Sequence, residues 1–252
     1  MNDLRGYVAV VTGGNSGIGL GMAAGVAKAG GDVVVWGRRA DRNAEAVTQL
    51  RSLGVRAEGI ECDVSDPQQI AASMAESIRR MGKVDAMFAN AGRGGFNSKF
   101  LDVTIEEWRM VMAVNLDGVM LCMQAAARHM VERGEGGSLV AVSSTSAIHG
   151  AQNNEAYGTS KTALLGLVRA TAVGLARYKI RVNAISPGWT KSELAMGGFN
   201  NDRFRTVTTN RTPVRRWAEP AEFEEVGAYL ADPRLTFHTG DNLVVDGGYT
   251  IF

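Results

Sequence analysis

Apolar positions along the chain follow two alternating periods. Short continuous apolar runs rich in β-branched residues, bounded by glycine or polar residues, alternate with longer stretches whose apolar residues recur every three to four positions. Tyr7-Val-Ala-Val-Val11 reads as a buried strand, followed by glycines and then by Ile18 to Ala29 at helical spacing. Val33 to Trp36 is a second strand, and Ala40 to Leu53 a helix that ends before Gly54, a suitable C-terminal cap. Gly59 to Cys62 is a weaker third strand. Ser65-Asp-Pro-Gln68 then has the form of a helix start, with a capping side chain and a proline in the first turn. Val84 to Ala89 is the fourth strand, and Thr104-Ile-Glu-Glu107 is a capping box that opens a long helix to about Glu132. Ser138 to Val142, Ile180 to Ile185 and Leu243 to Val245 complete seven strands. Continuously apolar strands alternating with helices imply a parallel sheet covered on both faces. No linker or shift in composition divides the chain, so one doubly wound α/β domain over residues 1–252 is expected.

Composition narrows the class. At 252 residues a single hydrophobic core is feasible. The net charge of +1 comes without a block of like charge, which argues against nucleic acid as a partner, because neutralising phosphates needs clustered Lys and Arg. Cys62 and Cys122 make neither a metal cluster nor a disulfide framework, so no metal is expected. With no basic-then-apolar leader and no unbroken apolar run of about 20 residues, the expectation is a cytoplasmic protein without a membrane partner. The 31 glycines show no collagen-like period, which directs attention to specific backbone roles.

In doubly wound sheets ligands bind beyond the carboxyl ends of the strands, near the switch in strand order. The unusual residues fall there: Gly13 to Gly19, Gly37-Arg38-Arg39, Asp63, Asn90-Ala91-Gly92, Ser143-Ser144 and Pro187-Gly188 each follow a predicted strand. Mere turn formation would not put six such loops on one edge. Thr12-Gly13-Gly14-Asn15-Ser16-Gly17-Ile18-Gly19 joins the first strand to the first helix. Glycines there allow positive φ and let backbone amides approach a pyrophosphate at the helix N-terminus. A tight structural turn is the plainer alternative for this loop alone. The second strand ends in Gly37, where a carboxylate would suit a free ribose 2′-hydroxyl, and two arginines follow. Guanidinium groups suit a 2′-phosphate instead, so NADP(H) is favoured and NAD(H) stays possible; two solvated arginines are the bland alternative.

Tyr157 and Lys161, four apart, share one face of a predicted helix. A free tyrosine titrates near 10, and a nearby ammonium is expected to lower that value toward what proton transfer needs. Most such pairs are surface decoration. Ser144 changes the balance, because it ends the fifth strand, from where its hydroxyl can reach a substrate oxygen. Asn115 shares an apolar helix face with Val111, Val119 and Met123, so it must find buried partners; packing and catalytic roles are equally compatible with that.

Taken together, these residues resemble the short-chain dehydrogenase/reductase family, single-domain type, similar to its 3-oxoacyl-[acyl-carrier-protein] reductase-like and ketone reductase members. The resemblance spans essentially the whole chain and implies a Rossmann-like parallel seven-stranded sheet with helices on both faces. It implies that Gly13, Asn15, Ser16, Gly17, Ile18, Gly19, Arg38, Arg39, Asp63, Val64, Asn90, Ala91, Gly92, Tyr157, Lys161, Pro187, Gly188, Thr190 and Ser192 bind the cofactor. Ala89 stands where the family's Asn-Asn-Ala-Gly motif has its first Asn, and Ser192 where a threonine is usual. Asn115, Ser144, Tyr157 and Lys161 match the family's catalytic tetrad. By that likeness Tyr157 donates the proton, Ser144 orients the carbonyl, Lys161 also holds the nicotinamide ribose, and Asn115 anchors a water linking Lys161 to solvent. Arg181-Val182-Asn183 matches a further block. Val245-Asp246-Gly247-Gly248 matches one that often packs at a tetramer interface, so a homo-oligomer, dimer or tetramer, is expected.

Substrate choice is expected to rest on residues 93–100, 145–154 and 189–215. The last has no strong periodicity, which suits a mobile lid as well as a static surface loop. Trp189 is a candidate substrate contact beside Ser144 and Tyr157, and His149 is near enough to touch substrate without being assigned catalysis. The expected activity is NADP(H)-dependent interconversion of a ketone or 3-oxoacyl group and a secondary alcohol, acting on a small carbonyl or alcohol. The alternatives are an NAD-dependent alcohol or polyol dehydrogenase and a non-catalytic cofactor-binding regulator on the same fold.

Overall fold

The computed structural model describes residues 3–96, 98–150 and 152–252. Among these, seven strands form one sheet: β1 (Val8–Thr12), β2 (Asp32–Gly37), β3 (Ala57–Glu61), β4 (Ala86–Ala89), β5 (Gly137–Val142), β6 (Ile180–Pro187) and β7 (Asn242–Val245). Their order is β3-β2-β1-β4-β5-β6-β7, and every neighbouring pair is parallel. The helices are α1 (Gly17–Lys28), α2 (Ala40–Arg51), α3 (Pro67–Met81), α4 (Ile105–Met112), α5 (Gly118–Arg133), α6 (Glu155–Leu175), α7 (Met196–Phe199), α8 (Asp202–Arg211) and α9 (Glu224–Ala231).

The two-residue period of the strands divides their apolar side chains between two cores. Val10, Val34 and Met87 face Met74 of α3, Met123 and Met130 of α5, and Leu164 and Val168 of α6. Val11, Val33 and Phe88 face Met22 and Val26 of α1, Leu50 of α2 and Ala228 of α9. Both faces are therefore apolar, as the continuous runs in the sequence required. β4 begins at Ala86 rather than Val84, because the Val84 amide donates to His129 Nε2 at 3.2 Å. Asp85 is buried beside it, accepting from the Val8 amide at 2.9 Å and pairing with Arg133 at 2.9 Å, so it ties the start of β1 to the end of α5.

Helix ends follow the sequence signals. Asp66 accepts from the amides of Gln68 and Gln69, Gly82 ends α3 at φ 86°, and Thr104 with Glu107 forms the expected capping box. The expected single helix from Thr104 is continuous but not uniform, since a π-turn at Ala113–Asp117 separates α4 from α5. Such a turn holds an extra residue, which rotates the following turns relative to the preceding ones and is frequent at functional sites. By length and apolar composition the run Ile105–Arg133 could cross a membrane, yet Val111, Val119, Cys122, Met123, Ala126 and Met130 are buried against the sheet.

The stretch 189–215, expected to be irregular, contains α7 and α8. Asn201 caps α8 through the Phe204 amide, and the helices gain stability from aromatic contacts on scattered positions, which leave no periodic signature.

α1 carries the phosphate-loop candidate at its N-terminus and is fixed by close packing on the C-terminal segment. A Cβ at Gly25 would lie 1.8 Å from the Glu224 carbonyl oxygen, and one at Gly21 2.0 Å from that of Pro220. Gly25→Ala is expected to cost about 3 kcal/mol or more, because backbone must move. Gly174→Ala in α6, where a methyl meets nothing within 4 Å, should instead add about 0.5–1 kcal/mol. Urea midpoints of the two variants test the contrast, and equal small shifts would overturn it.

Candidate active site

β1 and β4 are neighbours whose following chains leave in opposite directions, so a crevice opens above them. Its floor is held by Thr12 and Asn90. The Thr12 hydroxyl accepts from the amides of Asn90 (3.0 Å) and Ala91 (2.9 Å), while Asn90 Nδ2 donates to the carbonyls of Thr12 (2.9 Å) and Gly13 (3.3 Å). Gly13 and Gly17 adopt φ of 62° and 53°, and a Cβ at Gly19 would stand 2.4 Å from both Gly13 O and Asn90 Nδ2. Glycine is required there by the backbone geometry. Ser16 precedes α1 without capping it through its side chain, so the amides of the first turn have no side-chain acceptor at the mouth of the crevice. An uncapped helix N-terminus offered to the crevice fits a dinucleotide pyrophosphate.

The end of β2 sharpens the cofactor reading. Asn43 Nδ2 donates to the carbonyls of Gly37 (2.8 Å) and Ile60 (3.1 Å), and its Oδ1 accepts from Asn15 Nδ2 at 2.7 Å. A Cβ at Gly37 would lie 2.3 Å from Asn15 Nδ2 and 2.6 Å from Asn43 Oδ1. A carboxylate at position 37, which would hold a free 2′-hydroxyl, would therefore have to displace the Asn15 and Asn43 side chains. The two arginines behave differently. Arg38, 76% exposed, approaches only Asp63, at 3.9 Å, and makes no hydrogen bond among the described residues. Arg39 is gripped by Glu193 through two hydrogen bonds of 2.9 and 2.6 Å. Of the two guanidinium groups expected at the phosphate, one is thus engaged by the segment that follows β6.

That segment leaves the sheet at Pro187-Gly188, where a Cβ on Gly188 would lie 2.6 Å from Asp246 Cα. Thr190 is buried and bonds the Gly188 carbonyl at 3.0 Å; Ser192 stands 3.0 Å from where a Gly17 Cβ would be, against the glycine loop. Asp63 accepts from the Ser65 amide and hydroxyl at 2.9 and 2.7 Å, and buried Val64 touches the start of α5. Trp189 stacks on Trp217 at 5.0 Å and meets Phe204 edge-on at 5.0 Å and Tyr249 at 6.3 Å. It is a member of an aromatic cluster under α7 and α8, and its indole Nε1 has no hydrogen-bond partner among the described residues.

The four expected catalytic residues converge. Ser144 follows β5 and caps a short 3₁₀ turn, its hydroxyl accepting from the Ser146 amide at 3.1 Å. Tyr157 and Lys161 lie in the first two turns of α6, with Lys161 Nζ 5.7 Å from the phenol ring centroid. Lys161 is buried and donates to the Val142 carbonyl at 2.8 Å, so the end of β5 holds the amine in place. Asn115, fully buried in the π-turn, accepts from the Arg93 amide at 2.9 Å. It donates to the Arg93 carbonyl at 2.9 Å and to Ser160 Oγ at 3.2 Å. It bonds no carbonyl of its own helix: it clamps the chain that follows Asn90-Ala91-Gly92 onto α6. Ser160 and Asn43, which complete these networks, carry no local sequence signal, since their bonds to Asn115 and to Asn15 and Ile60 span 45, 28 and 17 residues.

The electrostatics correct one expectation. Burial pushes the Tyr157 phenol above its ordinary value, with the Ser144 hydrogen bond opposing in part, so the Lys161 ammonium does not hold it below that value in this structure. Burial also lowers Lys161, to about 8.

A family model described as enoyl-(acyl carrier protein) reductase matches residues 13–250. A short-chain type dehydrogenase/reductase from Mycobacterium marinum has a solved structure that superposes with a TM-score of 0.93 at 35% identity, over 98% of this chain and 97% of that one. The chain belongs to the short-chain dehydrogenase/reductase family. Within this family it is 36% identical to an L-rhamnose 1-dehydrogenase (NAD(P)(+)) of Sphingomonas sp. strain SKA58, over 98% of both chains. It is also similar to a gluconate 5-dehydrogenase of Burkholderia cenocepacia J2315 solved with NADP and tartrate, with a TM-score of 0.93 and 32% identity over 99% and 97% of the chains. The family assignment and the doubly wound fold thus agree with the expectations from sequence.

The depressed Lys161 value has a consequence for stability. The unfolded chain binds this proton up to about 10.5, the folded one only to about 8, so between those values the unfolded state holds more protons and stability rises with pH. Tyr157 shifts the other way and adds nothing until the unfolded phenol titrates near 10. In the protein without added cofactor, denaturant unfolding between pH 8 and 10 should show a rise that Lys161→Met abolishes; an unchanged slope would contradict the burial argument.

Proposed function

We propose that the chain is an NADP(H)-dependent oxidoreductase that interconverts a ketone and a secondary alcohol, with Tyr157 as general acid/base. The observation that carries this reading is the convergence of Ser144 and Tyr157 with buried Lys161 on the same sheet edge as the glycine loop. The dinucleotide, when bound, supplies or accepts the hydride. The uncapped start of α1 would take its pyrophosphate, and Arg38 its 2′-phosphate, with Gly37 presenting no competing carboxylate. Ser192, Thr190 and the Pro187-Gly188 turn would flank the nicotinamide end.

In the reducing direction a carbonyl oxygen accepts hydrogen bonds from Ser144 and Tyr157. As hydride reaches the carbon, the O–H bond of Tyr157 breaks and its proton moves to that oxygen. A phenol raised by burial is fully protonated near neutral pH and ready to donate. Lys161, still mostly an ammonium at pH 7, stabilises the phenolate that this leaves behind. Oxidation runs the same transfers in reverse. A non-catalytic cofactor binder would need neither this hydroxyl pair nor a buried amine beside it.

Tyr157→Phe keeps the ring and loses the proton. Its kcat with ketone substrates is expected to fall by roughly 10²–10⁴, with NADPH affinity within about twofold; retained turnover would sink the mechanism. Arg38→Ala should cut the preference of kcat/KM for NADP over NAD by about 10-fold or more. An unaltered ratio would reject the 2′-phosphate assignment.

A further inference from the structure

Six buried side-chain nitrogens among the described residues have no hydrogen-bond partner, and such a group costs about 1–3 kcal/mol unless something else satisfies it. Three of them, on Arg133, Arg181 and His238, belong to side chains whose other nitrogens are held by the protein. The other three are Arg93 Nε, His149 Nε2 and Trp189 Nε1. They fall one each on the three segments that border the Ser144–Tyr157 pair: after β4, after β5 and after β6.

Arg93 is the most unusual of these. Its backbone is fixed on both sides by Asn115, and its neighbour Gly92 lies against Lys161, where a Cβ would be 3.5 Å from Nζ. Beyond it the chain passes closely between two walls: a Cβ at Gly94 would meet Leu194 at 3.5 Å, and one at Gly95 Asn154 Oδ1 at 2.9 Å. The guanidinium sits over the Phe96 ring at 4.4 Å and has neither a hydrogen bond nor an ion pair among the described residues. Arg39, Arg205 and Arg216 each meet a carboxylate of the chain itself. A rigidly placed guanidinium at the catalytic edge with no internal anion is a ready site for a planar carboxylate from outside. His149 adds polarity of a second kind. Its Nδ1 lies 3.2 Å from the Gly150 carbonyl, which selects the tautomer with hydrogen on Nδ1 and leaves Nε2 as a buried acceptor.

We propose that the substrate is a hydroxy acid, or its keto form, whose carboxylate is held by Arg93, while His149 Nε2 accepts from a hydroxyl and Trp189 Nε1 donates to an oxygen of the same molecule. This rests on the ketone–alcohol reading and adds the substrate class. The carboxylate takes no part in the redox step; it fixes which carbon faces Tyr157.

The test uses matched pairs, D-gluconate with sorbitol and cis-4-hydroxycyclohexanecarboxylate with cyclohexanol, assayed by NADP reduction with wild type, Arg93→Leu and Arg93→Lys. Loss of a charge-assisted pair should lower the acid-to-neutral ratio of kcat/KM by about 10- to 100-fold in Arg93→Leu, with partial recovery in Arg93→Lys. A calorimetric titration of NADP-loaded protein with each acid and each neutral partner needs no turnover. It should show acid binding in wild type that Arg93→Leu loses. Acids that bind no better than their neutral partners, or a ratio that Arg93→Leu leaves unchanged, would overturn the proposal. Arg93-dependent acid binding without turnover of any compound would instead overturn the reaction class and keep the carboxylate site.

Discussion

The site depends on the polar staple where the strand order reverses. Parallel sheets give no side-chain link between neighbouring strand ends, and at β1 and β4 the chains diverge immediately above the sheet. Thr12 and Asn90 bridge that point with hydrogen bonds to each other's backbone. This fixes the glycine loop against Asn90-Ala91-Gly92, and Gly92 in turn lies against Asn115 and Lys161. The staple, the covalent run Asn90–Arg93 and the Asn115 bonds to Arg93 and Ser160 thus connect the glycine loop to α6, which carries the candidate acid/base. Thr12, Asn115 and Ser160 are buried, where a hydrogen bond lost leaves an unsatisfied group as well as a missing contact.

The same burial makes the candidate site costly to maintain. Lys161 is enclosed with a single backbone acceptor, and Tyr157 is pushed toward its neutral form by the surroundings that align it with Ser144. Arg93, His149 and Trp189 carry unpartnered nitrogens at the adjoining segments. At the opposite end of the sheet buried Asp85 is paired with Arg133. Among the described residues, three of the six buried side-chain nitrogens without internal partners lie on the segments that border the candidate site, where an external molecule can satisfy them. Such a distribution suits binding energy taken up by a ligand rather than by the fold.

The segment after β6 couples the two halves of the crevice. Glu193 holds Arg39 beside the exposed Arg38, Ser192 touches the glycine loop, and Leu194 approaches Gly94. The aromatic cluster of Trp189, Phe204, Trp217 and Tyr249 gives that segment a hydrophobic base of its own. The glycine loop and the segment after β4 are therefore both met by one continuous stretch of chain.

Much of this was legible in the sequence, because period and punctuation are local properties. The strand runs, Thr104 with Glu107, Asp66 before Pro67 and the glycines at Gly13 and Gly17 each declare a backbone geometry within a few residues. So did Ser144, Tyr157 and Lys161, whose order along alternating elements brings them to one sheet edge. Tertiary structure decided what depends on distant partners: the close fit of Asn15 and Asn43 around Gly37, the Glu193 grip on Arg39, the Asn115 clamp on Arg93, and the helices α7 and α8. It also reversed the expected sign for the Tyr157 phenol. Spacing told that an ammonium lies nearby, but desolvation depends on everything packed around the ring, and that is set only when the chain has folded.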